Sequence, residues 1–135
     1  MKNPARTPDL LAAAQKAREH AYAPYSDFKV GAAVRSSSGA VYSGCNVENA
    51  SYGATLCAER AALAAMVAAG DERAVELIVY ADSSEPTMPC GICRQVIFEL
   101  AADPKEALPI GVVGPSGTKN TTLGALLPEP FRLRR

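Results

Sequence analysis

Leu56-Cys57-Ala58-Glu59-Arg60-Ala61-Ala62-Leu63-Ala64-Ala65-Met66-Val67-Ala68-Ala69-Gly70, followed by Val75-Glu76-Leu77-Ile78-Val79-Tyr80, is the stretch on which the fold turns. Alanine is the strongest helix former, and a run this rich in it predicts a helix over residues 56–69 that approaches its neighbours closely. Gly70 suits the left-handed position that ends a helix. Residues 75–80 are short, apolar and partly β-branched, the pattern of a buried strand. A helix feeding directly into a buried strand points to an α/β architecture.

On the N-terminal side, Thr7 or Asp9 can cap a helix reaching residue 22, with Leu10, Leu11, Ala14, Ala17 and Ala21 on one face and Pro24 as its stop. Residues 28–35 and 41–46 read as two strands, and the turn residues of 36–39 join them as a hairpin. Residues 48–55 are polar, contain Gly53 and read as a loop. On the C-terminal side come a proline-containing loop over 82–89 and a third helix over 90–101. A buried strand follows over 108–113, then a turn over 114–117, a weak strand over 118–121 and a short helix over 123–127. The order α-β-β-α-β-α-β-β-α predicts an α/β fold: a single mixed β-sheet of about five strands with helices on both faces, forming one domain over residues 1–135.

At 135 residues, 48% of them apolar, the chain can bury a core of its own. Its formal net charge is zero, which argues against a polynucleotide partner, since such proteins carry a basic excess or a basic face. The one basic cluster, Arg132, Arg134 and Arg135, reads as a solvated terminus. No apolar run is long enough to cross a membrane, and the polar N-terminus lacks the apolar stretch of a secretory signal. The expectation is a cytoplasmic protein, where disulfides are rare. The four cysteines therefore need another explanation.

Cys90-Gly91-Ile92-Cys93 is a C-x-x-C at the expected start of a helix, with Pro89 before it. By itself that spacing suits a redox pair or half of a structural zinc site as well as a catalytic one. Cys57, also in a first helical turn, supplies a third thiol. Three protein ligands leave the fourth corner of a zinc ion for water, the catalytic pattern. Cys45, near a strand end, reads as a small buried thiol; were it a fourth ligand, the site would be closed and structural. Glu59 follows Cys57 by two residues. With Thr55 as N-cap, Glu59 falls one position too late for a capping box; a first-turn carboxylate favoured by the helix dipole and a proton-transfer group beside Cys57 both stay open. A redox pair has no use for either Cys57 or Glu59.

The chain resembles the small cytidine deaminase family over nearly its whole length. The matching blocks are Pro24-Tyr25-Ser26 with Phe28 and Val30-Gly31-Ala32-Ala33, and Asn46-Val47-Glu48-Asn49-Ala50-Ser51-Tyr52-Gly53. Cys57-Ala58-Glu59-Arg60 and Pro89-Cys90-Gly91-Ile92-Cys93-Arg94-Gln95 complete them. The resemblance implies a cytidine deaminase-like α/β/α fold and hydrolysis of cytidine and deoxycytidine to the uridines, in pyrimidine salvage. It implies Zn²⁺ on Cys57, Cys90 and Cys93, with Glu59 as the catalytic proton shuttle. Asn46 and Glu48 would bind the sugar, Phe28 would stack on the base, and the Ala58 backbone would meet it. It further implies a homotetramer with shared sites, in which Tyr52 and Phe131 match positions lent to a neighbour; Pro130 before Phe131 departs from the family. The lone His20 would be a helix-surface residue. Deaminases of aminonucleoside antibiotics such as blasticidin S share the cysteine blocks but differ around the sugar loop.

Three thiolates on Zn²⁺ sum to one negative charge, a poor setting for making hydroxide. Two helix N-termini, each worth about half a positive charge, offset it. Arg60, donating to the thiolates from behind, is the other expected compensation.

Overall fold

The computed structural model describes residues 7–133. Along it run α1 (Pro8–Arg18), β1 (Val30–Ser36), β2 (Val41–Cys45), α2 (Ala58–Ala68), β3 (Ala74–Ala81), α3 (Gly91–Leu100), β4 (Pro109–Gly114), β5 (Gly117–Thr122) and α4 (Leu123–Leu126). Single 3-10 turns lie at Tyr52–Ala54 and Lys105–Ala107. The strands form one five-stranded sheet in the order β2-β1-β3-β4-β5. Only β3 and β4 pair in parallel, with α3 in the connection between them; the other pairs are antiparallel. The expected mixed sheet and its initial hairpin are both found.

Side chains alternate across a strand, and that alternation builds two cores. Val30, Ala32 and Val34 of β1 and Leu77 and Val79 of β3 face Leu63 and Met66 of α2 and Ile97 of α3. Ala33 and Ile78 point the other way, onto Leu10 and Ala14 of α1. Helices thus cover both faces, as expected. Two glycines set how deeply they sit. A Cβ on Gly31 would lie 1.9 Å from the Ala14 carbonyl oxygen, and one on Gly44 would lie 2.5 Å from the Ala62 nitrogen. Neither contact is physically attainable, so α1 and α2 rest on bare backbone.

Long-range backbone bonds override local preference at two helix ends. Helix α1 stops at Arg18 rather than at residue 22. The Tyr22 N–H donates to the Asn46 carbonyl at 3.0 Å, and the Glu48 N–H donates to the Tyr22 carbonyl at 2.8 Å. His20 accordingly lies just past the helix, exposed. Helix α2 starts at Ala58, not at 56, because Val47 and Leu56 exchange N–H···O bonds of 2.8 and 2.9 Å. The N-cap position therefore belongs to Cys57, not Thr55, and Glu59 is the second helical residue, too early for a capping box. The other end of α2 follows expectation. Gly70 has φ 97°, and the Gly70 and Asp71 N–H groups return to Val67 and Met66 at 3.0 and 3.1 Å. Asp71 Oδ2 then accepts the hydroxyls of Ser36, Ser38 and Tyr42, tying this end of α2 to the hairpin turn.

Cys45 is half-buried rather than buried. Among the described residues, no helix is long and apolar enough to cross a membrane. Arg134 and Arg135 of the basic tail, and residues 1–6, lie outside the described residues.

Candidate active site

The start of β1, the end of β2 and the N-termini of α2 and α3 meet at one end of the sheet. Cys57 is the N-cap residue of α2 and Cys90 that of α3, while Cys93 is one turn further along α3. Their three sulfurs lie within 4.8 Å of one another, and Cys57 Sγ and Cys90 Sγ are 3.9 Å apart. A tetrahedral zinc with bonds of about 2.3 Å holds its sulfurs about 3.8 Å apart, so the trio fits that ion. Cys45 is not part of the group. Cys93 is buried at the back, whereas Cys57 and Cys90 open onto a cavity.

The chemistry of the donor set also suits a cation. A hydrogen bond from Cys93, helped by Arg60 and Cys90, pulls the Cys57 thiol down to about 5. Cys93, which donates to Cys57 and is desolvated, is pushed far above the ordinary thiol range. Three thiolates this close stay ionised together only around a positive charge. The Arg60 guanidinium donates to Cys57 Sγ at 3.4 Å and to the Thr55 carbonyl at 3.2 Å.

The cavity, of about 190 Å³, is lined by Phe28, Val30, Asn46, Glu48, Thr55, Leu56, Cys57, Ala58, Glu59, Thr87, Met88 and Cys90. Residues expected from four separate blocks thus share one wall. Glu59 is only 5% exposed, and that burial, more than the nearby Cys57, pushes its carboxyl up to about 7. A carboxyl near neutrality is suited both to accept and to return a proton.

Asn46 and Glu48 hold the cavity rim. Asn46 Nδ2 donates to the Phe28 carbonyl at 2.8 Å and its Oδ1 accepts the Val30 N–H at 2.8 Å. Glu48 Oε1 accepts the N–H groups of Tyr25 and Ser26 at 2.9 and 3.2 Å, and Oε2 accepts the Ser26 hydroxyl. These donors, the Ser26 hydroxyl foremost, keep the Glu48 carboxyl below its usual range. Phe28 is partly exposed on the same wall.

Tyr52 and Phe131 are not brought into this cavity. Tyr52 is 86% exposed and lines an adjoining depression with Tyr25, Ser26 and Asn49. Phe131 is 68% exposed on another face, where its carbonyl accepts from Gln95 Nε2. Reading the sequence missed Thr87 and Met88 as lining residues, along with Val30, Thr55 and Leu56. For Thr87 and Met88 the usable signal was their place immediately before Pro89-Cys90.

Three thiols open on one side to a cavity, with a buried carboxylate beside them on a mixed α/β sheet, define a zinc-dependent deaminase. The family model of the cytidine and deoxycytidylate deaminase zinc-binding region matches residues 5–106. A cytidine deaminase of Sporosarcina psychrophila is 44% identical over 123 residues, covering 90% of this chain and 88% of that protein. One from Halalkalibacterium halodurans is 52% identical over 97 residues, covering 71% and 74%. The crystal structure of cytidine deaminase from Burkholderia pseudomallei superposes with a TM-score of 0.86 at 45% identity, over 93% of this chain and 98% of that one. The chain belongs to the cytidine and deoxycytidylate deaminase family.

Proposed function

We propose that this protein hydrolyses cytidine and deoxycytidine to uridine and deoxyuridine, releasing ammonia, and serves pyrimidine salvage. The observation that carries this reading is the placement of Glu59, buried in the first turn of α2 and facing the same cavity as the open side of the thiol cluster. Cys57, Cys90 and Cys93 hold the zinc, which when bound supplies a Lewis acid that activates water at neutral pH. Glu59 accepts a proton from the attacking water and delivers one to N3 of the base. The C4–O bond forms as that first proton moves; Glu59 then takes the second proton, from the new C4 hydroxyl, and gives it to N4 as the C4–N4 bond breaks, leaving C4=O and ammonia. Arg60 holds the Cys57 sulfur in its charged form. Phe28 offers its ring to the pyrimidine face, the Ala58 backbone meets the base, and Asn46 and Glu48 receive the sugar.

The reading extends to the assembly. The chain acts as one catalytic domain in a cytoplasmic homotetramer, with Tyr52 and Phe131 lent to neighbouring sites. Their exposure outside the chain's own cavity supports that role. A free nucleoside, rather than nucleic acid or a membrane, is the partner, as the zero net charge favours.

Ammonia release from cytidine, blasticidin S and a single-stranded oligonucleotide tests the substrate. Turnover is expected with cytidine alone, and activity confined to either competitor would overturn the assignment. Light scattering tests the assembly, with a mass near four times the 14.1 kDa chain expected; a monomer would remove the shared sites.

A further inference from the structure

The loop between α1 and β1 has little regular structure, yet it delivers Phe28 to the cavity wall. One hydroxyl in it works in two directions: Ser26 Oγ donates to Glu48 Oε2 and accepts the Phe28 N–H at 3.0 Å. Between these two residues, Asp27 has φ 55°, a conformation that residues other than glycine rarely adopt. Its N–H returns to the Ala23 carbonyl at 3.0 Å. Such a conformation persists where the surroundings over-determine it. Glu48 fixes the residues just before Asp27, collecting the N–H groups of Tyr25 and Ser26 together with the Ser26 hydroxyl.

We propose that Ser26 is a positioning residue that locks the Glu48 carboxylate and the Phe28 ring into one mutual geometry before the nucleoside arrives. The inference rests on the reading of Glu48 as a sugar acceptor. Each carboxylate oxygen has two lone pairs. Oε1 spends both on N–H groups and Oε2 spends one on Ser26, so a single acceptor site stays open for a sugar hydroxyl. Without the Ser26 hydroxyl, water competes for a second site on Oε2, and the Phe28 N–H loses its acceptor. The chemistry at Glu59 takes place elsewhere in the cavity. The loss therefore weakens binding of ground state and transition state alike, which raises KM and spares kcat.

The test compares Ser26→Ala and Ser26→Thr on the zinc-loaded protein, with cytidine and with 2′,3′-dideoxycytidine, which lacks the 2′- and 3′-hydroxyls and so offers Glu48 no ring hydroxyl to accept. Ser26→Ala is expected to raise KM for cytidine by about three- to ten-fold, the range for losing one charge-assisted hydrogen bond at a solvated rim. The rise for the dideoxynucleoside should be clearly smaller, kcat should change by less than about two-fold, and Ser26→Thr should restore KM. Adding Ser26→Ala to Glu48→Ala should cost little more than Glu48→Ala alone. An equal rise for both nucleosides, additive effects in the double variant, or a kcat loss at constant KM would overturn the inference. Wild-type protein that leaves cytidine untouched would remove the parent reading as well. Wild-type turnover with an unaltered KM in Ser26→Ala would remove this inference alone.

Discussion

Glu59→Gln is expected to lower kcat for cytidine by about 10³-fold or more while each chain keeps its zinc. Glutamine has nearly the shape of glutamate but cannot carry a proton between water, N3 and the leaving amine. A thousand-fold loss corresponds to about 4 kcal/mol of transition-state stabilisation, a large but reasonable share for a group performing every transfer. Because Glu59 is not a ligand in the thiol cluster, zinc content should stay at that of the wild type. Stability should hold or rise, since the substitution removes a buried carboxyl that has to be desolvated in the folded chain. Absorbance loss of cytidine, metal analysis and a thermal melt on the same preparation read all three. A variant retaining a tenth or more of wild-type kcat would end the proton-shuttle mechanism.

The second large effect is expected from Cys57→Ala. Zinc should fall well below one ion per chain, turnover should vanish, and Tm should drop by about 10 °C or more. Binding at structural zinc sites is worth on the order of 10 kcal/mol at neutral pH, and that energy is also folding energy. For a chain of this size each kcal/mol moves Tm by about 4 °C. Two thiols would remain at the start of α3, and no fourth cysteine lies close enough to replace the missing one. The variant would also leave Arg60 facing a methyl group in place of a sulfur. The control is wild-type protein in strong chelator, whose melt should move toward that of the variant. A Cys57→Ala protein with full zinc and an unchanged Tm would mean that the metal lies elsewhere.

Much of the site was legible because its chemistry restricts residue types. Only a few side chains bind zinc, so Cys57 and the Cys90–Cys93 pair announced themselves, and Glu59 stood out by its distance from Cys57. Asn46 and Glu48, two apart at a strand end, fall on one side by the period of a strand, but the resemblance supplied their role and brought in Phe28. What stayed hidden depended on contacts made by backbone or by plain apolar surface. Nothing in Leu56 foretells that it pairs with Val47 and so delays the helix until Ala58. Nothing in Tyr22 foretells that its peptide group is captured by the strand end at Asn46 and Glu48. Thr87 and Met88 line the cavity with side chains that serve equally well in any core. Asn46 is the middle case: its polarity marked it, but two of its hydrogen bonds brace Phe28 and Val30 before any sugar is present.

The bare backbone at Gly44 bears on how this enzyme can change over generations. Any side chain there would meet the Ala61–Ala62 turn of α2, one turn beyond the residues that carry the chemistry. Lifting that helix by even an ångström would carry Cys57 and Glu59 away from the sulfurs of α3, which sit on a different element and would not follow. A position with no functional group of its own thus limits which sequences can remain enzymes. Libraries built to alter substrate preference have room at the cavity rim and almost none beneath the helix.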